Sequence, residues 1–149
     1  MKIRKATVAD APAVVSCVID SFKAYMLLIG RTPGPILEDY YVAIEEHYVF
    51  VAEEGGVICG VLLLKDTPEA EYTLLDVLAT LPDWQGRGIG RALTAYGEDF
   101  IRGLGKKECR LYTHVKYERT ASIYHSIGYE TYARVQEYGF DRYYMKKAL

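Results

Sequence analysis

Gln85-Gly86-Arg87-Gly88-Ile89-Gly90-Arg91-Ala92-Leu93 lies between a strand-forming run, Tyr72-Thr73-Leu74-Leu75-Asp76-Val77-Leu78-Ala79-Thr80, and an apolar stretch with helical spacing. Leu81-Pro82-Asp83-Trp84 makes a short break before the glycines. Glycine lets the backbone turn sharply and approach a ligand closely. The amides of a first helical turn have no partner inside their own helix, so they point outward as an anion cradle. Arg87 and Arg91 add positive charge at the same place, which suits a pyrophosphate.

Other phosphate-binding turns match less well. A Rossmann turn asks for G-x-G-x-x-G after the first strand and an acidic residue on the next strand. Here the spacing is G-x-G-x-G, the motif sits past mid-chain, and the following strand, Cys109 to Val115, has no acidic residue. A Walker loop needs Lys-Ser/Thr after its last glycine, where this chain has Arg91-Ala92. The plain alternative is a glycine-rich loop before a surface helix.

The stretch from Leu78 to Leu93 resembles the acyl-CoA-binding motif of the GCN5-related N-acetyltransferase (GNAT) family, whose pattern there is L-A-V-x-P-x-x-Q-G-x-G-x-G-x-x-L. Ile123-Tyr124-His125-Ser126-Ile127-Gly128-Tyr129 is similar to the family's L-Y-x-x-x-G-F/Y segment. Ile3 to Asp10 resembles its first strand and helix cap, and Arg142 to Lys147 its closing strand, so the likeness spans essentially the whole chain. It implies acetyl-CoA as co-substrate and acetylation of an amine by direct attack on the thioester. By resemblance, the main chain of Leu78, Ala79 and Thr80 pairs with the pantetheine arm. Gln85, Gly86, Arg87, Gly88, Ile89, Gly90 and Arg91 hold the diphosphate. Tyr124 is the candidate general acid for the departing sulfur, against the alternative of a packed tyrosine. Asp76 is the candidate general base; two residues before Leu78, it should share that residue's strand face. A strand carboxylate facing solvent or pairing with a lysine is the alternative, and Glu71, Tyr112 and His114 are further base candidates. Relatives commonly carry an asparagine shortly before the tyrosine. Tyr117 to Ile123 contains none, and Thr120 replaces only part of its bonding capacity.

With 149 residues, one domain spanning 1–149 is expected, burying roughly two-thirds of its unfolded surface. Net charge is −2, with no polybasic run, so nothing points to nucleic acid or a membrane surface. The run Val57 to Leu64 is far short of the ~20 residues a membrane span requires, and the first residues lack the apolar core of a signal peptide. A cytoplasmic location is therefore expected. Cys17, Cys59 and Cys109 have apolar or strand-like neighbours and read as buried reduced thiols. With His47, His114 and His125 dispersed, no metal site is expected. Most of the 14 tyrosines fall between Tyr112 and Tyr144, as if covering sheet faces or lining a wet cleft.

Periodicity predicts a strand over 2–6, a helix from 11 to about 29 entered through Thr7 and Asp10, and a second helix through Ile36, Leu37, Tyr40, Tyr41 and Ile44. Strands follow at 48–52 and 57–64 about Gly55-Gly56, then at 71–80. A helix runs from Ile89 to the glycines at 103 and 105; then come a strand at 109–115, a helix at 118–127 stopped by Gly128, and a hairpin about Gly139. The expected class is α+β: a mixed, mostly antiparallel central sheet flanked by about four helices. The resemblance places the first two helices over the acceptor side. The acceptor itself, a small-molecule or peptide amine, is not legible, and the final hairpin suits a homodimer. A non-catalytic acyl-CoA-binding module is the rival reading.

Overall fold

In the computed structural model, which describes residues 1–149, the strands are β1 (Lys2–Lys5), β2 (Tyr48–Glu54), β3 (Val57–Asp66), β4 (Tyr72–Thr80), β5 (Glu108–His114), β6 (Glu130–Glu137) and β7 (Phe140–Ala148). The helices are α1 (Ala11–Ile29), α2 (Gly34–Leu37), α3 (Tyr40–Glu46), α4 (Ile89–Gly103) and α5 (Glu118–Ser126). All the strands join one sheet in the order β1-β2-β3-β4-β5-β7-β6. Every neighbouring pair is antiparallel except β4 and β5. The expected α+β class holds.

Two apolar layers cover the sheet. Val14 and Val18 of α1 and Ala43 of α3 pack with Val51, Val61 and Leu63 on one face. Ile89, Leu93 and Ile101 of α4 pack with Phe50, Leu62 and Leu111 on the other. Central β3 is buried on both faces, which is why its sequence reads as a continuous apolar run. Val8–Ile29 is apolar and long enough to pass the length test for a membrane helix, but α1 lays its Ala11, Val14, Cys17 and Val18 face on the sheet. Helix α4 rides close to β3 because residue 97 is glycine: a Cβ there would lie 2.7 Å from Leu62 Cδ2.

The predicted second helix is two. Glu38 is extended (ψ 141°) and ends α2, and Asp39 starts α3 by accepting from the Tyr41 and Val42 amides at 3.1 and 3.2 Å. An N-cap carboxylate competes with helix continuation, and apolar spacing alone does not register it. The start of α1 is as expected. The Thr7 amide donates to Asp10 at 2.7 Å, and Arg4 binds the same carboxylate at 2.8 and 2.9 Å.

One irregularity in β4 shapes everything that follows. Leu63 pairs with Val77 but Leu64 pairs with Leu75, leaving Asp76 as the extra residue of a β-bulge. Pairing of β4 with β5 runs from Tyr72 to Leu75 and then stops, so the sheet splits beyond that point.

Candidate active site

Backbone builds one side of the split. Gly88 caps α4 from the left-handed region (φ 82°), as glycine does without steric cost. From Gly86 to Arg91 no amide donates a hydrogen bond within the chain. The first helical amides have no preceding turn to bond, and the positive φ of Gly86 and Gly88 turns the chain before them. These groups border a cleft of about 500 Å³, which Leu78, Ala79 and Thr80 line from the unpaired edge of β4. Gln85 is steadied by donating to Thr80 O at 3.3 Å. Arg91 and Thr120 also line this cleft, and so does Arg119 of α5, an exposed cation that the sequence reading did not single out.

Arg87 departs from expectation. Its guanidinium stacks over the Trp84 ring at 4.6 Å and donates to Asp83 O at 3.2 Å, and the residue is not in the cleft wall. A cation beside an indole face finds a partner within its own loop. Of the two arginines in the motif, Arg91 is the one that lines the cleft, its guanidinium donating to Ser126 Oγ at 3.4 Å.

Side chains build the other side. A cavity of about 110 Å³ lies where the cleft ends, and Phe22, Tyr25, Leu78, Thr120 and Tyr124 border both spaces. Tyr124 is buried, with its ring edge-on to Tyr129 at 5.6 Å. Burial pushes its phenol well above the usual tyrosine range, so it stays protonated. Its hydroxyl has no partner in the chain and is not sealed from solvent, since Tyr117 Oη is the one buried side-chain polar atom left unpaired. The Glu98 carboxylate holds Tyr129 in place, accepting from its hydroxyl at 3.0 Å and pairing with Lys147 at 3.0 Å.

Asp76 lines the smaller cavity, but on the face opposite to the one that alternation predicts. The bulge reverses the strand: Leu75 packs in the α4 layer, whereas Val77 and Ala79 pack in the α1 layer. Leu78 and Thr80 point toward α4, each 3.8 Å from where a Cβ on Gly90 would stand. Asp76 instead meets Lys65 at 3.2 Å and the Tyr112 hydroxyl at 3.1 Å, and Lys65 also pairs with Glu38 at 3.1 Å. Asp76 and Leu78 therefore do not share a face.

The other base candidates separate cleanly. Glu71 precedes β4, pairs distantly with Lys107 at 3.9 Å, and lines neither space. His114 lines the smaller cavity, but its ring nitrogens face the Lys116 and Asp141 amides at 3.1 and 3.4 Å. Burial depresses its pKa, which favours the neutral ring. Burial also raises the thiols of Cys17 and Cys109 to about 11; all three cysteines are free and buried. No group of three His, Cys, Asp or Glu side chains is placed to hold a metal ion.

A family model described as the acetyltransferase (GNAT) domain matches residues 45–131, from the end of α3 through the glycine loop to the start of β6. The chain belongs to the GNAT acetyltransferase family. Among GNAT relatives, the S-alkylcysteine N-acetyltransferase of Bacillus subtilis is 29% identical over 156 aligned residues, covering 98% of this chain and 88% of that one. The N-alpha-acetyltransferase RimI of Mycobacterium tuberculosis is 29% identical over 131 residues, covering 81% and 79%. The GNAT fold here matches the PaiA N-acetyltransferase of Thermoplasma acidophilum, crystallised with coenzyme A. That match has a TM-score of 0.80 at 21% identity, over 99% of this chain and 98% of that one.

Proposed function

We propose that this GNAT protein moves an acetyl group from acetyl-CoA to a primary amine, the amine attacking the thioester carbon directly. One observation carries the reading: the unbonded amides of Gly86 to Arg91 and the unpaired edge of β4 border one cleft, and that cleft meets the Asp76 cavity at Tyr124. The amides and Arg91 suit a diphosphate, and the free strand edge suits the amide-bearing pantetheine arm. When bound, acetyl-CoA supplies an activated acyl group.

The amine nitrogen forms the new C–N bond as the C–S bond breaks, so the nitrogen must lose a proton and the sulfur must be stabilised. Tyr124 donates its hydroxyl proton's hydrogen bond to the sulfur. A thiol ordinarily ionises near ~8.5, well below the buried phenol, so this acid acts mainly by hydrogen bonding. Asp76 accepts the amine's proton, through water or the Tyr112 hydroxyl, with Lys65 supplying the opposite charge beside it. The relatives named above act on amines as different as an S-alkylcysteine and an N-alpha terminus, which supports the reaction class and leaves the acceptor open.

The engaged Asp76 also favours a second reading, a CoA-binding module without turnover. Free-thiol release from acetyl-CoA across an amine panel separates the two. Amine-dependent release is expected; CoA binding in calorimetry with no release from any amine would favour the module.

A further inference from the structure

We propose that the acceptor is a free α-amino acid with an apolar side chain, its carboxylate held by Arg142 and its amine set beside Asp76. The assignment rests on the acetyl-transfer reading above and concerns only the acceptor end. The cavity of about 110 Å³ has room for several waters, a scale that fits a small molecule and not an aminoglycoside. Its wall carries one carboxylate, Asp76, and one permanent cation, Arg142. Tyr112 spans the two, with its hydroxyl on Asp76 at 3.1 Å and its ring under the Arg142 guanidinium at 4.5 Å. Opposite charges one phenol apart complement a zwitterion.

Arg142 is built to receive an anion. Its side chain is only 13% exposed, and it makes one hydrogen bond, from Nη1 to Glu137 Oε1 at 3.1 Å. Glu137 is shared, since it also accepts from the Tyr144 hydroxyl. A guanidinium has five N–H donors in a fixed fork, and the remaining donors of Arg142 are not sealed in protein. The rings of Tyr112 and Phe140, at 4.5 and 4.6 Å, hold the fork in one plane. Phe22, Ile29 and Pro33 supply an apolar wall for the side chain. A polyamine would set its second cation against Arg142, and a peptide N-terminus would offer it a neutral amide.

The test compares L-methionine, L-leucine and L-phenylalanine with their amides and with spermidine in thiol release from acetyl-CoA. At least one acid is expected to exceed its amide by roughly tenfold or more in kcat/KM, as loss of a charge-assisted bond implies. Arg142→Gln should bring that ratio to near unity, mainly through KM, and Arg142→Lys should restore part of it. Equal use of acid and amide by the parent, or an unchanged ratio in Arg142→Gln, would overturn the assignment. Release with spermidine or amides alone sinks this assignment and leaves acetyl transfer standing; release with none of the compounds also sinks it, and the wider amine panel then decides acetyl transfer.

Discussion

The two halves of the site are made of different material. The donor cleft is framed by one continuous stretch, Leu78 to Arg91, which brings unbonded amides and a free strand edge, with α1 and α5 along its rim. The acceptor cavity is mostly side chains drawn from α1, the α1–α2 link, β4, β5, α5 and β7. Main-chain groups are the same whatever the residue, so a cleft made of them keeps its chemistry while side chains vary. A cavity made of side chains changes its ligand with each substitution. One chain thus joins a cleft bordered by main-chain groups to a cavity walled by side chains.

That contrast can be tested by substitutions of graded effect. Tyr124→Phe, at the junction, should lower kcat about 100-fold with CoA affinity retained; a parent-like kcat in stopped-flow thiol release would return Tyr124 to a packing role. Gly88→Val should cost about 1–2 kcal/mol through its left-handed backbone and weaken CoA roughly tenfold by misaligning the amides. Urea unfolding and calorimetry read the two effects separately, and intact CoA affinity would show that the amides are not the grip. Arg91→Ala should cost only about threefold in CoA affinity, as exposed charges do, and Arg87→Ala should cost less still. A loss from Arg91→Ala larger than that from Gly88→Val would reverse the contrast.

A last effect, on stability alone, lies outside both halves and serves as a control. The Arg4 guanidinium, helped by the Thr7 amide, holds the Asp10 carboxyl well below the usual carboxylate range. A folded-state pKa below the unfolded one stabilises the fold at neutral pH. That stability is lost as pH falls below about 4 toward the folded value. Asp10→Asn should therefore cost about 1 kcal/mol at neutral pH, discounted for solvent screening. The difference from the parent should shrink near pH 2.5 in urea titrations; a pH-independent difference would exclude this titration.

Legibility followed the same division. The glycine loop, its helix and the strand before it could be read in order, because glycines, a break and a periodic stretch are local signals. Leu78, Ala79, Thr80, Gln85 and Gly90 were accordingly identified along the chain and line the cleft together. Asp76 lines the smaller cavity, but on the face opposite to the one that strand alternation predicts. A bulge is a property of the β3–β4 pairing, and no residue in β4 alone announces it. Arg87 and Arg91 are equivalent in sequence; Trp84, three residues before Arg87, is the only local hint that one guanidinium would be taken up. Arg142 left no signal of a place in the cavity wall, because the rings and the carboxylate around it come from elsewhere in the chain.

By itself, then, the amino-acid order determined the element types, the glycine turn and the family, since these depend on φ preferences, periodicity and near-neighbour spacing. Tertiary structure alone decided where the sheet splits, which way Asp76 faces and which cations are free to meet a ligand. Those features arise from strand register and from contacts between residues far apart in the chain, where the energy of a side chain depends on what folding brings against it.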